Sequence, residues 1–228
     1  MELVYSDSLG DTLDALNEAF FAGRRLTRSQ RDQAAWWIAA RQGQGRAYAG
    51  MPAPTEHDFA GGIAVFTGER VRSGAGTAHI LGEEACRALI LLRAPVPEVR
   101  RALKRASEGM LERLAVSERR YPGGTYCCGI CSCAYWRHLA AGGLSRNEER
   151  LAAGMKALSA HRLDTGRWRR FPFFYTLLVL TEIDPALSKQ EMRFAAPACE
   201  RYLKTRQAHT VHSERRHRLA EMMLARSG

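Results

Sequence analysis

Four of the six cysteines fall within seven residues, at Cys127, Cys128, Cys131 and Cys133. Placed on a helix, Cys127 and Cys131 stand one turn apart and Cys128 and Cys131 nearly so. Two or more thiolates can then meet one soft metal ion, and zinc is the candidate cofactor. Cys133 points elsewhere on such a helix, and His138, two turns beyond Cys131, lies too far along it to share the ion. Ligands from a second element would come from His79 and Glu83, which are one turn apart. Cysteine is also a small hydrophobe that suits tight helix packing, so the cluster reads equally as core. A redox role for Cys128 and Cys131 calls for a strand-to-helix junction, which the apolar pattern around them does not offer.

A second group could move protons. His57, Asp58, Glu69, Arg70 and Arg72 precede His79, Glu83 and Glu84, and acid and base groups gathered this way suit general acid/base work. Asp58, His79 and Glu83 are the candidate catalytic residues. The plainer alternatives are a Glu84–Arg87 pair on a helix surface and a local capping interaction at His57-Asp58.

The net charge of +10 comes almost wholly from arginine. Arginine's planar fork suits phosphate and carboxylate, so a diphosphate, a nucleic acid or an acidic protein is the expected class of anionic partner. Arg167-Trp168-Arg169-Arg170 is one dense cluster, and Arg201 with Arg215-Arg216-His217-Arg218 forms the other. A solvated basic face is the alternative.

The elements that must position these groups read as helices. Leu9, Leu13, Leu16 and Phe20 predict one over Ser8–Ala22, stopped by Gly23. Thr27 or Ser29 caps a second through Gln42. Gly43 to Gly76 is a long Gly- and Pro-rich connection with a short helix around Phe59–Phe66. Thr77–Arg93 is largely apolar. Pro97–Glu118 is amphipathic, with Val99, Leu103, Ala106, Met110 and Leu114 on one face. Thr125–Ala141 and Phe171–Glu182 are apolar nearly all round. Between them, Ser145 and Glu148 form a capping box for a helix carrying Leu151, Met155 and Leu158. Ala186–Arg206 and Ser213–Ala225 complete the set, and no strand is expected. One-faced helices alternating with all-round apolar ones imply an outer layer packed on an inner one, since only an inner helix is shielded on every side.

A pattern recurs three times: a helix ending in polar residues, a Gly-containing turn, then an aromatic. The copies run Ile38–Gln42 to Gly45–Tyr48, Leu114–Glu118 to Gly123–Tyr126, and Leu158–Arg162 to Gly166–Trp168, and stacked helical hairpins are the expected architecture. The segment Leu151–Trp168, and Gln33–Tyr48 with it, is similar to the Gln-Trp repeat of squalene-type cyclases. Gly124-Thr125-Tyr126-Cys127-Cys128 resembles the start of an inner helix in prenyltransferase β subunits. The resemblance to the terpenoid cyclase and protein prenyltransferase superfamily implies an all-α, α/α-toroid-like fold, a single domain over 1–228, in which the ring of hairpins need not be complete. It also implies a lipophilic or isoprenoid-type ligand in a central aromatic pocket lined by Tyr126, Trp168, Phe174 and Tyr175. The Asp-x-Asp-Asp motif of the cyclases is absent from this sequence, and the residues two before Cys127 and Cys128 are Thr125 and Tyr126, not the zinc-ligating Asp of the transferases. The alternative function is a non-catalytic helical-repeat scaffold binding an acidic protein or nucleic acid through its arginines. The longest apolar run, Phe171 to Thr181, is too short for a transmembrane segment. An N-terminus without a basic leader or apolar signal segment leads to a cytoplasmic expectation.

Overall fold

The computed structural model describes residues 2–120, 123–205 and 208–228. Among these the chain is all-α, with ten helices: α1 (Leu9–Phe21), α2 (Arg28–Ala39), α3 (Glu56–Gly61), α4 (Gly74–Leu92), α5 (Pro97–Arg120), α6 (Gly129–Ala140), α7 (Asn147–Ser159), α8 (Phe173–Glu182), α9 (Pro185–Leu203) and α10 (Val211–Ser227). Two antiparallel two-residue ladders were not foreseen. One, β1 (Ile63–Ala64) with β2 (Arg70–Val71), closes the long connection; the other, β3 (Arg162–Leu163) with β4 (Arg167–Trp168), forms the third Gly-aromatic turn. Ladders this short carry no alternation for a sequence pattern to reveal.

Side chains at the helix starts account for most boundaries. Ser8 caps α1 through the Asp11 amide, and Thr27 and Thr55 close reciprocal capping boxes on α2 and α3. The short helix therefore begins at Glu56, earlier than the expected Phe59, because Thr55 and Asp58 supply the box. The box expected from Ser145 and Glu148 does not form. Instead Arg146 takes a left-handed conformation at the start of α7, without a side-chain cap. Pro172, extended, sets the start of α8 at Phe173. Helix α9 ends at Leu203, and Arg206, its expected end, lies outside the described residues.

Helices α4, α6 and α8 are buried on most of their circumference, whereas α2 and α7 bury one side. The buried layer is continuous, since α4 packs on α6 and α6 on α8, with α1, α2, α7, α9 and α10 laid against it. In α5, Val99, Ala102, Ala106, Met110 and Leu114 are buried, close to the expected stripe, with Leu103 at its edge. Trp136, Tyr135, Tyr175, Leu177 and Leu180 fill the main cluster; burying side chains of this size stabilises the fold by about 1.5–3 kcal/mol each. The chain's two ends are tied together: Arg215 on α10 donates to Asp14 and Glu18 on α1, at 2.8 Å in each case. Among the described residues, no helix is long and apolar enough to cross a membrane.

Candidate thiolate centre

Helix α6 begins four residues later than its composition suggests, and that delay builds the site. Gly123 and Gly124 have positive φ, as does Cys127 at 48°, and Cys128 is extended (φ −137°, ψ 175°), so the chain cannot be helical until Gly129. Gly129 itself is required by contact: a Cβ there would sit 1.9 Å from the Arg170 carbonyl oxygen. Cys128, itself extended, is thus the N-cap residue of α6, preceded by the left-handed Cys127 and followed by helix. In keeping with the apolar pattern, no strand leads into α6 among the described residues; the chain enters it from coil.

The approach loop is held at three points. Trp136 Nε1 donates to the Gly124 carbonyl at 2.8 Å. The Ser132 hydroxyl accepts from the Tyr126 amide at 2.9 Å and contacts the Tyr126 and Cys128 carbonyls at 3.0 and 2.8 Å. The Tyr126 ring stacks on His79, with centroids 4.4 Å apart, and its hydroxyl hydrogen-bonds that of Tyr48. The aromatics of the first two repeat copies therefore meet.

On this support the Sγ atoms of Cys127, Cys128 and Cys131 converge to within 4.8 Å of one another. Cys127 and Cys128 are exposed and Cys131 is 5% exposed. The Cys131 thiol, and behind it the backbone amides of Cys131 and Ile130, favour the Cys128 thiolate against the cost of burial and bring its pKa down to about 5. Cys131 moves the opposite way, raised by the neighbouring Cys128 and by burial. Cys133, as expected, points away, with its sulfur 3.5 Å from the Thr176 hydroxyl. The three sulfurs come together through the loop at Cys127 and Cys128, not through helical spacing.

The expected second-element ligands are committed elsewhere. Glu83, fully buried, is held between His79 Nε2 at 3.2 Å and His138 Nδ1 at 2.5 Å. Burial alone would raise its pKa, but the charge and hydrogen bond of His138, with those of His79, outweigh it and lower the value to about 2. His79 Nδ1 is buried and makes no hydrogen bond. One residue on, Glu84 belongs to a larger network. Arg137 donates to Glu84, to both Glu182 oxygens and to Asn17; Arg87 donates to Asn17 and Glu182 at 2.7 Å each; and Tyr175 donates to Glu84 at 2.5 Å. Glu84 and Arg87 are thus buried members of a charge-balanced core, not a surface pair, a role that an apolar-looking helix gave no sign of.

Asp58 stands apart from His79 and Glu83 in its contacts. It accepts from the Ser8 hydroxyl and the Leu9 and Gly10 amides of α1, and from the Thr55 amide and hydroxyl, at 2.7–3.1 Å. Five donors on one carboxylate make it the clasp joining the starts of α1 and α3. The four aromatics do not face one another across a shared pocket, although Trp168 and Phe174 both pack on Phe173. Tyr126 lies against His79 and Tyr48. Trp168 donates to Glu191 and packs with Phe173 and Phe194. Phe174 meets Phe173 and Tyr202, and Tyr175 joins the Arg137 network. In the basic cluster, Arg167 lies over the Phe173 ring at 4.7 Å, while Arg169 and Arg170 are exposed. No protein-family model, curated protein or solved structure matches the chain.

Proposed function

We propose that this protein binds a soft metal ion of the zinc class through Cys127, Cys128 and Cys131, with the helical core serving to hold these thiols at the surface. The observation that carries the reading is the convergence of the three sulfurs within 4.8 Å, two of them open to solvent. Zinc–thiolate bonds of about 2.3 Å place tetrahedral sulfurs about 3.8 Å apart, so only a small closing movement is asked of the loop. Three thiolates, two from the exposed loop and one from the first turn of α6, leave a fourth coordination position for water or an incoming group, the arrangement of exchangeable and catalytic zinc rather than of a closed structural site. Lowering of the Cys128 pKa favours the deprotonated ligand that such an ion needs.

The isoprenoid-ligand reading draws support from the layered helices alone. Tyr126, Trp168 and Tyr175 spend their hydroxyl or indole groups on Tyr48, Glu191 and Glu84, and the thiol centre is the better-supported site. The test is cobalt substitution of the reduced, metal-free protein. Cobalt added to one equivalent should raise thiolate-to-metal charge-transfer absorption that zinc then displaces, and Cys128→Ser should abolish it. Absence of that absorption in the folded wild type would refute the reading.

A further inference from the structure

The same three thiols differ in access, and the difference points past metal binding. Cys128 is exposed at the N-cap position of α6; Cys131, one turn further on, is buried beneath it, with its sulfur within 4.8 Å of the Cys128 sulfur. An attacking thiol has to be reached by a partner, whereas a resolving thiol has to be reached only by the first thiol and is better kept from everything else. Gly129 and the Ser132 clamp fix the two cysteines in this relation. Cys127 is equally exposed but precedes the helix in a left-handed conformation, outside the Cys-x-x-Cys pair.

We infer that Cys128 and Cys131 form a thiol–disulfide exchange couple, with Cys128 attacking a solvent-accessible disulfide and Cys131 resolving the mixed disulfide. The inference does not rest on the metal reading, because it concerns the metal-free chain. In the first step the Cys128 thiolate attacks one sulfur of R–S–S–R′, forming a Cys128–S–S–R bond and releasing R′–S⁻, which takes up a proton. In the second the Cys131 thiol, losing its proton to water, attacks the Cys128 sulfur and releases R–SH after protonation. The partner disulfide gains two electrons and becomes two thiols; the protein loses two and becomes the Cys128–Cys131 disulfide. Two of the three metal ligands are consumed in that state, so oxidation and metal loading exclude each other.

The test uses the full chain, reduced and kept with a chelator so that metal binding plays no part, mixed with oxidised glutathione in one arm and a disulfide-linked peptide in the other. Acid-quenched samples are mapped by mass spectrometry without reduction. In wild type the Cys128–Cys131 disulfide should form with little adduct retained. Cys131→Ser should accumulate the mixed disulfide on Cys128, and Cys128→Ser should consume the oxidant about tenfold more slowly. Preference for one arm identifies the partner as a small molecule or a peptide. Adducts shared evenly between Cys127 and Cys128, a Cys127–Cys128 disulfide as main product, or undiminished reaction of Cys128→Ser would overturn the assignment. Should Cys131→Ser not fold, time-resolved mapping of the wild type decides the same question, since the Cys128 adduct must precede the intramolecular disulfide. Cobalt binding is measured separately on oxidant-free protein, so either idea can fail without the other.

Discussion

The two ends of α6 handle polar groups in opposite ways. At its C-terminal end Arg137 and His138 are buried, and every charge there meets a partner: Arg137 meets Glu84 and Glu182, and His138 meets Glu83. At its N-terminal end three thiols crowd together with two of them in water. A buried charge is tolerated only when paired and hydrogen-bonded, so the first end is fixed by the need for satisfaction. Thiols carry no such penalty when neutral, and exposed ones are free to react. One helix therefore separates a framework that specifies the packing of α1, α4 and α8 from a centre whose chemistry depends on staying accessible.

The framework end should give the largest effect when broken. Arg137→Met removes the cation that faces the buried Glu84 and the partly buried Glu182 and leaves both short of a partner. A loss of about 3–5 kcal/mol in unfolding free energy by denaturant titration is expected. A value under about 1 kcal/mol would mean that the network is not what ties α4, α6 and α8 together.

Glu83 sharpens the same contrast through pH. Its folded-state pKa is depressed from the ordinary 4.5 to about 2, so its contribution is complete above pH 4.5 and disappears as pH falls from there through 2. Glu83→Gln lacks that dependence. The stability gap between wild type and variant, read from denaturation midpoints, should therefore be widest above pH 4.5 and shrink toward pH 2; a constant gap would contradict the buried ion contact. Asp58→Ala comes next in size, at about 2–3 kcal/mol, because a single carboxylate serves five donors across two helix starts. Its loss should appear in thermal unfolding, with amide exchange of Leu9 and Gly10 quickened.

Much of the framework was legible in the sequence. The stripe of Val99, Ala106, Met110 and Leu114, and the all-round apolar character of Phe171–Glu182, follow from period and composition, which burial obeys directly. The sites were legible as residue types but not as geometry. Cys127, Cys128 and Cys131 could be picked out by their density, yet their convergence depends on Gly129 touching the backbone of Arg170 and on the left-handed Cys127, neither of which leaves a periodic trace. Glu84 and Arg87 sit three positions apart on α4, a spacing that fits a surface pair. Only their partners Asn17, Arg137, Tyr175 and Glu182, between 53 and 95 residues away in the chain, make them core. Asp58 stood out as a carboxylate beside a histidine, whereas its donors come from Ser8, Leu9 and Gly10, some fifty residues earlier.

The thiol end should give the smallest effect on folding and the clearest one on reactivity. Cys128 is exposed and no packing is lost on replacing its sulfur, so Cys128→Ser should leave metal-free stability within about 0.5 kcal/mol of wild type. Its consequence should lie in pH dependence. With its pKa lowered to about 5, Cys128 is mostly thiolate at neutral pH, and its alkylation by iodoacetamide in chelator should fall to half only near pH 5. Zinc should protect it and raise the melting temperature of wild type but not of Cys128→Ser, since an ion held by the folded loop alone stabilises by mass action. A half-point near the free-cysteine value would show that Cys131 and the start of α6 do not stabilise the anion, and would remove the distinction between the two ends of the helix at its reactive side.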